Sequence, residues 1–257
     1  LNPWQIGKIA ESLEFKIAQR KTLFLGLSDG SRIDVFRRFN RELSHEQIYQ
    51  TYEISSERAN SLIEELSSDL EKLGSIKKTE SPQKFETVVL LDDFSASGLS
   101  YIREENGEFK GKIAKLYHSL NDSQNALTNL FDLSQTDFYI VLYLATEQAQ
   151  QNSEQLWKKM WKKANGECSI IVVHPFNDSV KIEAGDGEPF NTLADKYYDE
   201  SIETKHTKKG GSDVRFGFNK CGLPVVLSHN TPNNSLALLW AETERYRALF
   251  PRISRHK

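Results

Sequence analysis

A chain of 257 residues with 38% hydrophobic and 27% charged side chains is long enough to bury one large core and polar enough to present a soluble surface. The formal net charge of -3 gives no global pull towards nucleic acid, leaving only local basic patches for such contact. No apolar run approaches the ~20 residues that span a bilayer, and the first residues show neither the charged nor the apolar segment of a secretory signal, so a cytoplasmic protein without a membrane partner is expected.

Residues 3–18 place Trp4, Ile6, Ile9, Leu13 and Ile17 close to helical spacing and predict an opening amphipathic helix. Leu23-Phe24-Leu25-Gly26-Leu27 predicts a buried strand. It runs into the small, polar turn Ser28-Asp29-Gly30-Ser31-Arg32 and then a helix, the usual frame of an α/β phosphate site. Residues 44–73 are charged and helical in pattern, with Ser44 and Gln47 spaced for a capping box and Ser55 opening a second helix. A polar connector, 74–85, leads to Val88-Val89-Leu90-Leu91, which fits a parallel strand buried on both faces and ends at Asp92-Asp93. Residues 104–136 read as irregular, with a Glu-Glu-Asn-Gly turn and a weak helix near 125–130. Then follow a strand at 138–144, a helix at 148–163, a strand at 169–174 closed by Pro175, and a helix at 190–202. A basic loop at 205–212, a strand at 223–228, a polar run from His229 to Asn234 and a helix at 235–250 complete the chain. Cys168 and Cys221 lie on separate apolar segments in no metal-ligand spacing and read as buried small side chains.

Strands alternating with helices predict an α/β fold with a mostly parallel central sheet and helices on both faces. The whole chain, 1–257, reads as a single domain in which about 40–85 form a helical insertion or lid. Ligands of such sheets bind beyond the carboxyl ends of the strands. Three polar clusters stand at expected ends and are expected to converge there: Ser28–Arg32, Asp92–Ser100 and Ser228–Asn234.

The segment Asp92-Asp93-Phe94-Ser95-Ala96-Ser97-Gly98-Leu99-Ser100 carries the chemistry. Two carboxylates at a strand tip accept hydrogen bonds from vicinal hydroxyls, or reach magnesium through water. The small residues after them let backbone N–H groups turn inward as an anion nest, and a helix starting near Gly98 would add its dipole. This segment resembles the signature of type I phosphoribosyltransferases, which bind phosphoribosyl pyrophosphate (PRPP). The resemblance implies a type I phosphoribosyltransferase-like fold with Asp92 and Asp93 as the catalytic pair at the ribose hydroxyls and at Mg2+. Ser95, Ala96, Ser97, Gly98, Leu99 and Ser100 would then surround the 5′-phosphate. It also implies a pyrophosphate turn after the first strand, occupied here by Ser28, Asp29, Gly30 and Arg32. By position, His229 and Asn230 follow the last expected strand and would face the anomeric carbon or the acceptor. The alternative is local packing of His229, with Asn233 or Asn234 capping the final helix.

Three blocks, Gly26–Asp34, the Asp92 loop and Gly222–Ser235, resemble more narrowly a phosphoribosyltransferase-like family of prokaryotic conflict, or antiviral defence, gene neighbourhoods. That resemblance implies a defence role with partner proteins. Position 96 departs from the pattern: 6-oxopurine members place a general-base aspartate where this chain has Ala96. Two readings follow. One is an enzyme that transfers or cleaves at the ribose anomeric carbon of PRPP or a nucleotide. The other is a non-catalytic sensor that binds the same ligand and signals to a partner.

Overall fold

The computed structural model describes residues 5–74, 83–161, 168–183, 185, 189–204, 207, 211, 213–244 and 246–253. The chain forms two compact units: Leu1–Ala145 with Gln150–His174, and Thr146–Ala149 with Pro175–Lys257.

The first unit is built on a five-stranded sheet in the order β2-β1-β3-β6-β7. The strands are β1 (Thr22–Gly26), β2 (Ile48–Tyr49), β3 (Thr87–Ser95), β6 (Asp137–Thr146) and β7 (Cys168–Phe176), and helices flank the sheet. β1 pairs in parallel with β2 and β3, and β3 with β6; the apolar runs predict β1, β3 and β6, but not β2. Register sorts the side chains by face. Leu23, Val88 and Phe138 stand abreast, as do Leu25, Leu90 and Ile140, all of them fully buried. On that face Phe138 packs edge-on against Trp161 of α6 (Glu147–Trp161), which in turn meets Tyr117 of α5 (Lys112–Asn121). On the opposite face Phe24, Val89 and Val141 pack with Leu91, Ile48 and the α3 (Ile33–Phe39) residues Ile33 and Phe36. Between β3 and α5, β4 (Arg103–Glu105) and β5 (Glu108–Lys110) form an antiparallel hairpin.

The expected opening helix breaks in two. Ser12 takes an extended conformation and its hydroxyl accepts from Phe15 N, so α1 (Ile6–Glu11) ends and α2 (Leu13–Arg20) begins there. Pro3 and Trp4 lie outside the described residues. The Ser44–Gln47 capping box forms, but around a single 3-10 turn. Gln47 is buried and its amide donates to Gln19 O and Thr22 O, which turns the chain into β2 rather than onward along a helix. Ser55 then caps α4 (Ser56–Lys72), whose Leu62, Leu66 and Leu70 are fully buried at i, i+4, i+8 spacing.

In the second unit α7 (Pro189–Tyr197) occupies the expected place, but the strand expected at 223–228 does not form. Pro224 has no N–H to donate. Leu223 makes one isolated bridge to Ser235, and Leu227 turns back onto Asn230. The expected closing helix is reduced to α8 (Ala237–Trp240), because Ala241 is extended and the chain folds back. Phe250 N then donates to Leu239 O and Arg252 N to Trp240 O. Among the described residues no helix is long and apolar enough to cross a membrane.

Candidate functional site

The acidic pair lies inside β3 rather than beyond it: the strand continues to Ser95, and Asp92 stands in register with Leu142. Alternation along the strand therefore sends the two carboxylates to opposite faces. Asp92 belongs to the face of Leu90 and is fully buried. Its Oδ1 accepts from Ser28 Oγ at 2.5 Å and from the Asp93 amide at 3.1 Å. Its Oδ2 accepts from the Tyr101 hydroxyl and from Lys112 Nζ, the latter at 2.6 Å. Lys112 opens α5, and its ammonium also lies 4.8 Å from the centre of the Tyr101 ring.

Asp93 belongs to the face of Leu91, beside the turn that follows β1. Gly30 comes so close that a Cβ there would sit 2.5 Å from Asp93 Oδ2, so a larger residue would push the Asp93 carboxylate away from the turn. Ser28 ties the same turn to Asp92 and also accepts from Gly30 N, closing a 3-10 turn over Asp29–Ser31. Arg32 follows in a left-handed conformation at the head of α3, 3.7 Å from Asp34. Tyr143, from β6, donates to Ser31 O at 3.0 Å. Ser28, Asp29, Ser31, Arg32, Ile33, Asp34 and Gln50 line a cavity of about 230 Å³.

These contacts set the local electrostatics. Burial, then the Asp92 charge and hydrogen bond, push the Tyr101 phenol well above its ordinary value. Burial, then the charges of Asp92 and Asp93, push Tyr143 up to about 12. Both phenols therefore stay protonated and act as donors at neutral pH.

The loop after β3 is compact. Ser95, Ala96 and Ser97 are buried, and the Ser95 hydroxyl has no hydrogen-bond partner among the described residues. Ser97 Oγ accepts from Leu99 N, and Ser97 O accepts from the Asn152 amide on α6. Gly98 takes a φ of 76°, which lets its carbonyl receive both Tyr101 N and Ile102 N. Ser100 is exposed, and its carbonyl accepts from Lys112 N. No helix begins at Gly98, contrary to expectation. The closed turn buries Tyr101 and Ile102 and sends the chain into the β4–β5 hairpin around Asn106-Gly107, so the helix starts only at Lys112.

His229 and Asn230 lie in the second unit. His229 is exposed, on a turn rather than at a strand end. Asn230 is engaged with its own neighbourhood: Oδ1 accepts from Thr231 N and Ile253 N, and Nδ2 donates to Ile253 O. Asn234 donates to Phe218 O, and α8 has no side-chain cap. Of the basic loop 205–212, only Thr207 and Gly211 belong to the described residues.

Magnesium was expected at Asp92 and Asp93. The Asp92 donor set does not fit a directly coordinated ion, since both oxygens already receive an ammonium and two hydroxyls, and the ammonium repels a cation. Asp93 is half-buried, with its carboxylate against Gly30 of the turn that follows β1.

Lys112, Tyr101 and Tyr143 complete the Asp92–Asp93 environment, and residue patterns did not single them out. Each is brought in by a long-range turn or strand pairing. Only Tyr101, immediately after the loop, carried a local hint.

A parallel sheet with an acidic pair on its central strand, a neighbouring glycine turn and a buried small-residue loop defines an α/β protein of the phosphoribosyltransferase type. The chain belongs to the PRTase-CE family, whose model matches residues 10–252. Comparison with curated proteins and with solved structures found no match.

Proposed function

We propose that the edge formed by the β1 turn and β3 binds the phosphorylated ribose of PRPP or a nucleotide and that substitution at its anomeric carbon follows. One observation carries this reading. Ser28 Oγ reaches Asp92 Oδ1 at 2.5 Å across 64 residues of sequence, joining the two blocks that bear the phosphoribosyltransferase resemblance. Gly30 reinforces the joint by admitting the Asp93 carboxylate against the same turn. In this reading Asp93 accepts from a ribose hydroxyl, and Asp92 holds the turn, Tyr101 and Lys112 in place. The orphan Ser95 hydroxyl and the loop amides face the 5′-phosphate, where an unmet buried donor costing about 1–3 kcal/mol gains a partner. Arg32 supplies the cation for the departing diphosphate, and magnesium entering with that group would neutralise part of its charge. The oxocarbenium-like transition state is then stabilised mainly by positioning and charge.

The sensor reading has its own support: Ala96 provides no general base, and the Asp92 carboxylate is fully engaged by the protein. The antiviral defence role and its partner proteins, which the three-block resemblance implies, belong to the same proposal. Phage plating on cells carrying wild type or Asp93→Asn would test that role.

The site is tested by calorimetric titration of PRPP with magnesium into wild type and Asp93→Asn. Saturable binding weakened at least ~10-fold in the variant, the loss of about one charge-assisted hydrogen bond, is expected with an unchanged melting temperature. A folded wild type that binds neither PRPP nor any nucleoside phosphate overturns the reading. Release of diphosphate on mixing PRPP with candidate bases separates enzyme from sensor.

A further inference from the structure

A second cavity of about 390 Å³ opens at the carboxyl end of β2, lined by Arg37, His45, Glu46, Tyr49, Gln50, Thr51 and Arg58. It shares Gln50 with the cavity beside Arg32 but contains none of the residues assigned above to the ribose or its phosphate. Besides β2 and the loop after it, three elements build it. Arg37 comes from the last turn of α3, His45 and Glu46 from the 3-10 turn before β2, and Arg58 from the first turn of α4.

Its cationic groups outnumber their partners. The Arg37 guanidinium donates through one terminal nitrogen to Ile48 O at 2.6 Å, and its shielded Nε has no partner among the described residues. A carbonyl dipole leaves that unit charge uncompensated. Arg58 is held at 2.6 Å by Glu46, donates weakly to Ser61 Oγ, and lies 5.4 Å from the centre of the Tyr49 ring. Its Nε is likewise unpartnered. Glu46 therefore fixes Arg58 in place without answering Arg37. Two guanidiniums against one carboxylate leave the wall with a net charge of +1 before His45 is counted, and the exposed His45 ring adds a further donor. The Thr51 hydroxyl accepts from Glu53 N, a local tie in the loop after β2.

We infer that this cavity is a separate site for a small phosphate-bearing anion. Arg37 serves as the principal cation, with Arg58 positioned by Glu46 and Tyr49, and His45 at the mouth. Guanidinium forks match phosphate oxygens geometrically, and a partly desolvated wall strengthens the attraction. The inference stands independently of the ribose site, because no residue of the Asp92 loop takes part.

Titration of inorganic phosphate, inorganic diphosphate and citrate into the full chain tests it, with Arg37→Gln, His45→Ala and Asp93→Asn alongside wild type. Saturable binding of phosphate or diphosphate should fall at least ~10-fold in Arg37→Gln, as expected for losing a charge-assisted contact. It should weaken severalfold in His45→Ala, whose exposed position leaves the melting temperature unchanged, and persist in Asp93→Asn. His45→Ala carries the test if Arg37→Gln does not fold. Equal binding by all variants, loss in Asp93→Asn alone, or citrate binding as tight as phosphate overturns the assignment. Failure of PRPP to bind while diphosphate still responds to Arg37→Gln would remove the ribose reading and leave this site standing.

Discussion

A carboxylate removed from water costs several kcal/mol unless charge and hydrogen bonds replace its hydration. Asp92 meets that demand with the Lys112 ammonium, the Tyr101 and Ser28 hydroxyls and the Asp93 amide. Burial first, and then the negative charge so retained, make the phenols of Tyr101 and Tyr143 resist ionisation. The consequence for stability has a definite sign. A phenol titrating near 10 in the unfolded chain and at about 12 in the folded one favours the fold fully below pH 10. That contribution is lost as pH rises from about 10 towards 12. Thermal melts between pH 9 and pH 12 should show a progressive fall that is shallower in Tyr143→Phe, because phenylalanine has no proton to lose. The same slope in wild type and variant would remove Tyr143 from the account.

At the scale of elements, the Lys112–Asp92 pair fastens α5 to β3 across the hairpin that separates them in sequence. The carboxylate end is fully buried and the lysine about one-third exposed, so the pair is not an ordinary surface bridge. Lys112→Met leaves the aspartate charge without its cation and should lower unfolding free energy by about 3 kcal/mol, read from urea midpoints. Adding Asp92→Asn to that variant should restore part of the loss, since the remaining amide needs no counter-charge. A change below about 0.5 kcal/mol would class the pair with solvent-screened bridges. This fastening also explains what sequence could and could not reveal. Leu23–Leu27, Val88–Leu91 and Phe138–Leu144 announced β1, β3 and β6 because strands buried on both faces need unbroken apolar runs. The glycine turn at Ser28–Arg32 and the acidic pair were likewise legible, as local chemistry on local spacing. The role of Asp92 was not: its carboxylate points to the α5 face only because β3 runs on to Ser95, and its partner Lys112 arrives through a hairpin. The helix expected at Gly98 failed for the same reason. At 44–73 the charged pattern read as two helices opened by Ser44 and Ser55, whereas the buried Gln47 amide bonds Gln19 and Thr22 and commits Ile48–Tyr49 to the sheet.

At the scale of the molecule, the two units are stabilised by different means. The first has a parallel sheet with Leu23, Leu25, Leu90, Phe138 and Ile140 fully buried beneath helices carrying Leu62, Leu66, Leu70 and Trp157. Its central strand amides are bonded on both sides, β3 to β1 and to β6. In the second, the described residues between 213 and 253 contain one four-residue helix, one 3-10 turn and isolated bridges. Many of its ties run from a single side chain to a backbone carbonyl, such as Ser235 Oγ to Val225 O and Trp240 Nε1 to Ser235 O. Amides protected by a cooperative ladder exchange only when the ladder opens, whereas amides in turns exchange through small local openings. Hydrogen exchange followed by mass spectrometry should therefore show peptides of β1, β3 and β6 exchanging at least ~100-fold more slowly than those covering 223–253, a gap of about 3 kcal/mol in opening free energy. Equal protection would mean that 213–253 opens only together with the sheet, so that the two units unfold as one. A PRPP-dependent slowing confined to Gly26–Arg32 and Asp92–Ser100 would in the same experiment place the ligand on the first unit.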